Sequence, residues 1–458
     1  MKGLKTVYIC SECEYESLKW LGKCPKCNSW NSFVEDVVDI SPAPAKKAAV
    51  SSITASGMDA SPFSSLELPE YIRVGTGVSE LDRVLGGGLV NGSVVLLSGE
   101  PGIGKSTLLL QICDSLGETK RVLYVSGEES TGQLKLRAKR LNVSGANLYM
   151  LTETNLENIL TQAAKIKPDV IIVDSVQTMY SDKLNSTPGS VSNVKEVAMA
   201  LITKAKSEDI SIILVGHINK EGSIAGPKVL EHMVDAVLNF EGDKRHSYRI
   251  IRANKNRFGS TNEIGVFEMT DTGLKEIINP SEMLLADRPS DASGNCAVCT
   301  LEGTRPIVAE IQALVSPTAY PAPRRTSNGI DYNRACLILA VLEKRLGLKF
   351  STHDVYINVI GGLQIDEPAS DLAIALALIS SLTDKVIPED LIAIGELGLA
   401  GECRGVACLD QRIKEAARIG FTRALVPSGN LSGATAVKGI ELIPIKSVYD
   451  LLLFVKRG

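Results

Sequence analysis

The segment SVVLLSGEPGIGKS, residues 93–106, sets a phosphate-binding pattern between a strand and a helix. Residues 94–98 form a short continuous apolar run, and TLLLQICDSL, from Thr107 onward, has the texture of a helix. Between them Gly99-Glu100-Pro101-Gly102-Ile103-Gly104-Lys105-Ser106 satisfies G-x-x-x-x-G-K-[ST], and the strand before it and the helix after it turn that pattern into a site. Residues 99–107, Thr107 included, are therefore expected to bind ATP. Backbone N–H groups would surround the β-phosphate, Lys105 would reach the β- and γ-phosphates, and the Ser106 hydroxyl would hold Mg²⁺.

Working outward, further Val/Ile/Leu runs at 122–126, 170–174 and 210–216 are separated by helix-length segments. Continuous apolar strands at that spacing predict an α/β fold with a mainly parallel sheet covered on both faces. The run VIIVD ends in Asp174, where a carboxylate would complete the Mg²⁺ shell. Glu128-Glu129 follows the 122–126 strand, and a glutamate there is placed to activate the attacking water.

The chain has 458 residues, about three domains' worth, with 44% hydrophobic and 22% charged residues and a net charge of −4. That composition excludes wholesale disorder, and its charge gives no global attraction to nucleic acid, so any such contact must come from local basic loops. No apolar run reaches the roughly 18 residues of a membrane span, and the charged N-terminus does not read as a signal peptide, which predicts a cytoplasmic protein. Cys10-x-x-Cys13 and Cys24-x-x-Cys27 form two knuckles separated by ten residues, the ligand set of a structural zinc site. The third pair, Cys296 and Cys299, has no partner pair nearby and reads as two core residues. Texture divides the chain into a four-cysteine zinc ribbon at 1–34, a Ser/Ala/Pro-rich flexible linker at 35–66, an ATPase domain at 67–275 and a mixed domain at 280–458.

TGVSELDRVLGGGLVNGSVVLLSGEPGIGKST resembles the core signature of RecA-like ATPases. With the cysteine ribbon, the KNRFG pentapeptide at 255–259 and the stretch GHINKEGSIAGPKVLEHMVD at 216–235, the whole chain resembles the RadA/Sms family of bacterial DNA-repair ATPases. The resemblance implies a RecA-like P-loop core with an N-terminal zinc ribbon and a C-terminal α+β Lon-protease-like domain. It makes Glu128 the catalytic carboxylate, Asp174 the Walker B acid and His217 a γ-phosphate sensor; Asn219 stands where the family is expected to carry Thr. Lys255 and Arg257 would reach the nucleotide of an adjacent subunit, as fixed cations that neutralise developing charge. The loops 181–193 and 220–228 would line a DNA channel in a homo-hexameric ring.

Residues 354–458 resemble the Lon protease domain, through GGLQIDEPASD at 361–371 and GELGLAGECRGV at 395–406. Alignment on Pro368 puts Ala369 at the nucleophilic serine, and alignment on 416–420 puts Asp410 at the lysine, so peptidase activity is not expected. Neighbouring Ser370 and Lys414 would each need an independent shift to replace them. Arg324, Arg325 and Arg334 are candidate phosphate contacts.

The implied function is a DNA-dependent ATPase that drives branch migration in recombinational repair, using ATP, Mg²⁺ and Zn²⁺. Its partners would be single-stranded DNA, branched recombination intermediates and a recombinase, with nucleoid association when active. An ATP-dependent Lon-type protease and a nucleotide-regulated assembly switch are the alternatives.

Overall fold

The computed structural model describes residues 4–10, 15–39, 72–183, 187–217, 227–242, 248–286, 288–289, 291–320, 322–433 and 437–457. The chain divides into two compact units, Met1–Glu276 and Ile277–Gly458.

At the start of the first unit, the strand Leu4–Cys10 pairs antiparallel with Glu16–Ser17 on one side and Phe33–Asp39 on the other. That second pairing runs past 34, where the ribbon is expected to end. Residues 35–39 stay in the ladder because Leu4 to Tyr8 offer them partners in unbroken register, Tyr8 with Glu35 through Leu4 with Asp39. The rest of the expected linker, 40–66, lies outside the described residues.

The nucleotide-binding part of this unit is a nine-stranded sheet. Six strands run parallel in the order Ala236–Glu241, Val94–Gly99, Ser211–His217, Val170–Asp174, Val122–Ser126, Leu148–Thr152. Side chains alternate between two cores, as the pleat demands. Val95, Leu97, Val122, Tyr124, Ile172, Ile213 and Val215 pack on one face, with the helix Lys105–Gly117. On the other face Val94, Leu96, Leu123, Val125, Ile171, Val173, Ile212 and Leu214 pack with the helices Leu156–Ile166 and Val191–Glu208. A sheet buried on both sides can afford continuous Val/Ile/Leu runs, which is the reason those runs stood out in the sequence.

Three antiparallel strands that the sequence reading missed, Tyr248–Asn256, Ile264–Thr270 and Gly273–Glu276, extend the sheet beyond Ala236–Glu241. The helix Val191–Glu208 begins inside the expected loop 181–193, because the Ser190 side chain accepts from the Asn193 N–H and caps it there.

The second unit is a seven-stranded mixed sheet with helices packed on it. The helix Asp371–Thr383 lies against the strands Asn295–Glu302 and Arg305–Pro317 and against the helices Tyr332–Leu346 and Val448–Arg457. Every residue from Asp371 to Ser380 is consequently buried. Cys296 and Cys299 are core residues of Asn295–Glu302, and burial pushes both thiols up, Cys296 to about 12.

Four residues before that helix, Glu367 is held by Arg412, which is almost wholly buried and donates to both Glu367 carboxylate oxygens at 2.5 and 2.7 Å and to the carbonyls of Cys299 and Ala407. Removing one member of a buried pair leaves the other charge uncompensated, at a cost of about 3 kcal/mol or more. Glu367→Ala is therefore expected to speed amide exchange of the Asp371–Thr383 helix by on the order of a hundredfold, read by hydrogen-exchange mass spectrometry of the full chain. Unchanged exchange would mean that the pair contributes nothing to this unit.

Candidate functional site

The loop after Val94–Gly99 is shaped by glycines. Gly104, at φ 121, occupies the N-cap position of Lys105–Gly117 and offers no side-chain cap. Leu108 is the first residue of the helix whose N–H reaches a helical carbonyl, that of Gly104 at 3.0 Å. The N–H groups of Lys105, Ser106 and Thr107 are thus left as donors at a helix N-terminus, the arrangement that takes a phosphate. Lys105 is buried, and its ammonium donates to the Gly99 and Glu100 carbonyls at 2.8 and 2.9 Å. Burial lowers its pKa to about 8, while the charges of Asp174 and Glu128 act in the opposite sense. The expected loop, lysine and two carboxylates therefore meet at the carboxyl ends of the parallel strands.

Asp174 ends its strand buried, accepting the Tyr124 hydroxyl at 2.6 Å. One oxygen of Glu128 accepts the Ser175 hydroxyl at 2.6 Å and lies 3.2 Å from Nε2 of His217. The His217 bond holds the Glu128 carboxyl down at about 2, against the burial that would raise it and with the help of Ser175. A carboxylate can only accept, so His217 carries its proton on Nε2. Its Nδ1 is buried and has no hydrogen-bond partner among the described residues. Glu129 turns aside to pair with Arg137 at 2.6 Å.

Three residues of this cluster were not singled out in the sequence: Tyr124, Ser175 and Gln177. Both amide atoms of Gln177 are buried and have no hydrogen-bond partner among the described residues, close to Gly216 at the end of the His217 strand. Gly127 is bare because a Cβ there would meet the Thr178 hydroxyl at 2.0 Å, so the Glu128 loop packs directly on the segment after Asp174. Only the polar texture of DSVQT after the strand could have pointed to Ser175 and Gln177.

Lys255 and Arg257 are not brought to this cluster within the chain. Lys255 Nζ donates to the carbonyls of Glu231 and His232, and Arg257 contacts Asp235 through both backbone and guanidinium. In the sheet register Gly99 is level with Phe240, whereas Lys255 is level with Val237 and Arg257 with Asp235. The pair therefore sits at the amino end of the strands, roughly 10 to 16 Å of strand away from the phosphate loop. Of the expected DNA-facing loops, 184–186 and 218–226, with Asn219, lie outside the described residues.

In the ribbon, the Sγ atoms of Cys10, Cys24 and Cys27 lie within 4.8 Å of one another; Cys13 is outside the described residues. The thiols of Cys10 and Cys24 are buried with Phe33, and their convergence fits the tetrahedral shell of zinc.

In the second unit Ala369 is a buried core residue packed with Ile392 and Ala424. The Ser370 hydroxyl donates to the Glu367 carbonyl at 2.9 Å, and Lys414 is exposed. The arginines expected to contact phosphate are largely engaged inside the unit. Arg334 grips buried Asp371, which also accepts from the Leu397 N–H, and Arg325 donates to the Phe350 and His353 carbonyls. Arg324 stays exposed, its guanidinium 4.4 Å from the Tyr320 ring centre.

Family models match this chain at three places: an AAA domain over residues 67–223, a rubredoxin metal binding domain over 8–35, and the ChlI subunit of Mg-chelatase over 335–430. The DNA repair protein RadA of Bacillus subtilis is 50% identical over 453 residues, 99% of each chain. That of Halalkalibacterium halodurans is 49% identical over 455 residues, again 99% of each. The chain belongs to the RadA family of DNA repair proteins. It is an ATPase with a RecA-like P-loop core, a zinc ribbon and a ChlI/Lon-like C-terminal domain, and its cofactors are ATP with Mg²⁺ and Zn²⁺. A solved KaiC-like protein of Pyrococcus horikoshii, 20% identical, overlaps 45% of this chain and all of its own at a TM-score of 0.39. No described helix is long and apolar enough to cross a membrane.

Two outcomes follow from this RadA-family site. Lys105 carries its proton below about pH 8 and loses it above, so ATP affinity should weaken as pH rises past 8, approaching tenfold per pH unit. Calorimetric titration of ATP across that range checks this, and Lys105→Met should flatten the profile. Stripping zinc with a chelator should change tryptophan emission, since Trp20 and Trp30 both sit on the ribbon, while the thermal transition of the ATPase core persists.

Proposed function

We propose that the chain is an ATP-dependent DNA motor acting in recombinational DNA repair, promoting branch migration of recombination intermediates in the cytoplasm. One observation carries this reading. The strands that end in Asp174 and His217, at the nucleotide cluster, lead toward the two segments expected to face DNA, the first through the turn Val176–Thr178, and Gln177 of that turn lies close to Gly216. A change at the γ-phosphate would therefore move the roots of both loops together.

In this reading Lys105 and the Lys105–Thr107 amides hold the phosphates, and Ser106 and Asp174 hold Mg²⁺. When bound, Mg²⁺ neutralises charge on the β- and γ-phosphates. Glu128 acts on the attacking water. Held at about 2, it is a poor store for a proton, so its contribution is to accept a hydrogen bond from the water, orient it and polarise it. His217 reads the γ-phosphate by exchanging its Glu128 bond for a phosphate oxygen. Lys255 and Arg257 stand at the opposite end of the sheet and serve a neighbouring subunit's nucleotide, which calls for a closed ring, in our proposal a homo-hexamer. The proposed domain limits are a ribbon ending at 39, an ATPase domain at 67–275 and a Lon-like domain at 280–458. The last serves as scaffold and DNA-binding surface, since an alanine methyl fills the place of the nucleophile. A recombinase is the proposed partner.

The test is the steady-state ATP hydrolysis rate with and without single-stranded DNA. Stimulation is expected, together with a loss of at least about a hundredfold in Lys105→Ala. Wild-type turnover in that variant would overturn the site, and absence of stimulation would move weight to the assembly-switch alternative.

A further inference from the structure

The ribbon leaves its two tryptophans outside its own core. That core consists of Cys10, Cys24 and Phe33 with Tyr8 and Cys27 packed on it, and Tyr15 meets Phe33 edge-on at 6.4 Å. Trp20 is 53% exposed and Trp30 71% exposed. Small domains normally spend such large side chains on burial, so two of them in water mark a surface built for something else.

Each indole is nevertheless held in place. The Trp20 ring lies against Gly22, with 3.7 Å between its edge and the position of a Gly22 Cβ. Trp30 pairs across the knuckle with Lys23, whose ammonium stands 5.6 Å from the ring centre. Each ring is thus propped from one side by the zinc knuckle and open on the other. The surroundings are cationic. Lys19, Lys23 and Lys26 are exposed, and residues 17–34 contain no Asp or Glu.

We propose that this face binds single-stranded nucleic acid, with bases stacked on the open faces of Trp20 and Trp30 and the backbone phosphates paired with Lys19, Lys23 and Lys26. Pre-set aromatic faces beside flexible cations form the combination that holds single strands without reading their sequence, because every base has a π-face and every nucleotide a phosphate. The proposal is separate from the motor reading. It adds a second contact for the strand, outside the loops near the nucleotide.

The chain supplies its own reporter, since it contains only these two tryptophans. Full-length, zinc-loaded protein is titrated with oligo(dT) while tryptophan emission is followed, and anisotropy of a labelled oligo(dT) is read in parallel. Saturable quenching is expected, weaker with duplex of the same length and reduced by salt. Trp30→Ala should weaken the oligo(dT) midpoint, read through Trp20, by roughly five- to a hundredfold, while Trp30→Phe should retain most of it. Zinc content of each variant shows that the ribbon is folded. Unchanged emission at oligo(dT) levels that saturate the anisotropy would overturn the proposal, leave the motor reading standing and point to a protein surface as the occupant. Silence in both signals would overturn both. Quenching without any stimulation of ATP hydrolysis would uphold the ribbon site and count against the motor.

Discussion

Burying the Lys105 ammonium at the end of a parallel sheet costs several kcal/mol unless polar groups surround it, and much of the first unit can be understood as the arrangement that supplies them. Two backbone carbonyls of the phosphate loop take its protons, and Asp174 and Glu128 provide opposite charge from neighbouring strands. Those carboxylates are in turn held by Tyr124 from the middle of its strand, by Ser175 from the turn after Asp174 and by His217 from a strand end. The parallel order of the sheet is what makes the network possible, because it brings the carboxyl ends of four strands side by side. No antiparallel sheet would collect these groups along one edge.

The same register explains why the KNRFG cations fall on the other edge. Ala236–Glu241 is parallel to Val94–Gly99, and the next strand, Tyr248–Asn256, must return antiparallel. The peptide that follows it therefore emerges where the parallel strands begin, beside Asp235. Within one chain Lys255 and Arg257 are therefore held by the Glu231 and His232 carbonyls and by Asp235, at the end of the sheet away from the phosphate loop.

Much of this was legible in the sequence, for specific reasons. The phosphate loop, Asp174 and Glu128 could be read because continuous apolar strands announce a two-sided parallel sheet, and chemistry in such sheets sits at the carboxyl ends. The antiparallel tail was not legible as a unit, since Tyr248–Asn256 alternates buried and half-buried positions and carries charges that mask the alternation. Ser175 and Gln177 were hidden for another reason: a short polar segment after a strand has no periodicity to read, and only the close packing of bare Gly127 shows what it touches. The ribbon's ligand spacing gave the metal, but the ladder that carries Phe33–Asp39 past the expected boundary depends on pairing with Leu4–Cys10, a long-range fact that local composition does not contain.

The second unit keeps an enzyme's framework while its interior has been committed to something else. Glu367 lies two residues before Ala369, and Arg412 two residues after Asp410, so a largely buried ion pair flanks both positions where a serine and a lysine are expected. A Lon-type lysine must give up its proton to activate the nucleophile, and a nearby guanidinium would favour that loss. The Glu367 carboxylate, however, neutralises Arg412 and is itself held ionised by it, which leaves no net field to lower a neighbouring amine. Ala369 is packed into the core beside this closed pair. The pair ties the segment that leads into the Asp371–Thr383 helix to the Leu409–Ile419 helix, and so fixes the surroundings of both positions.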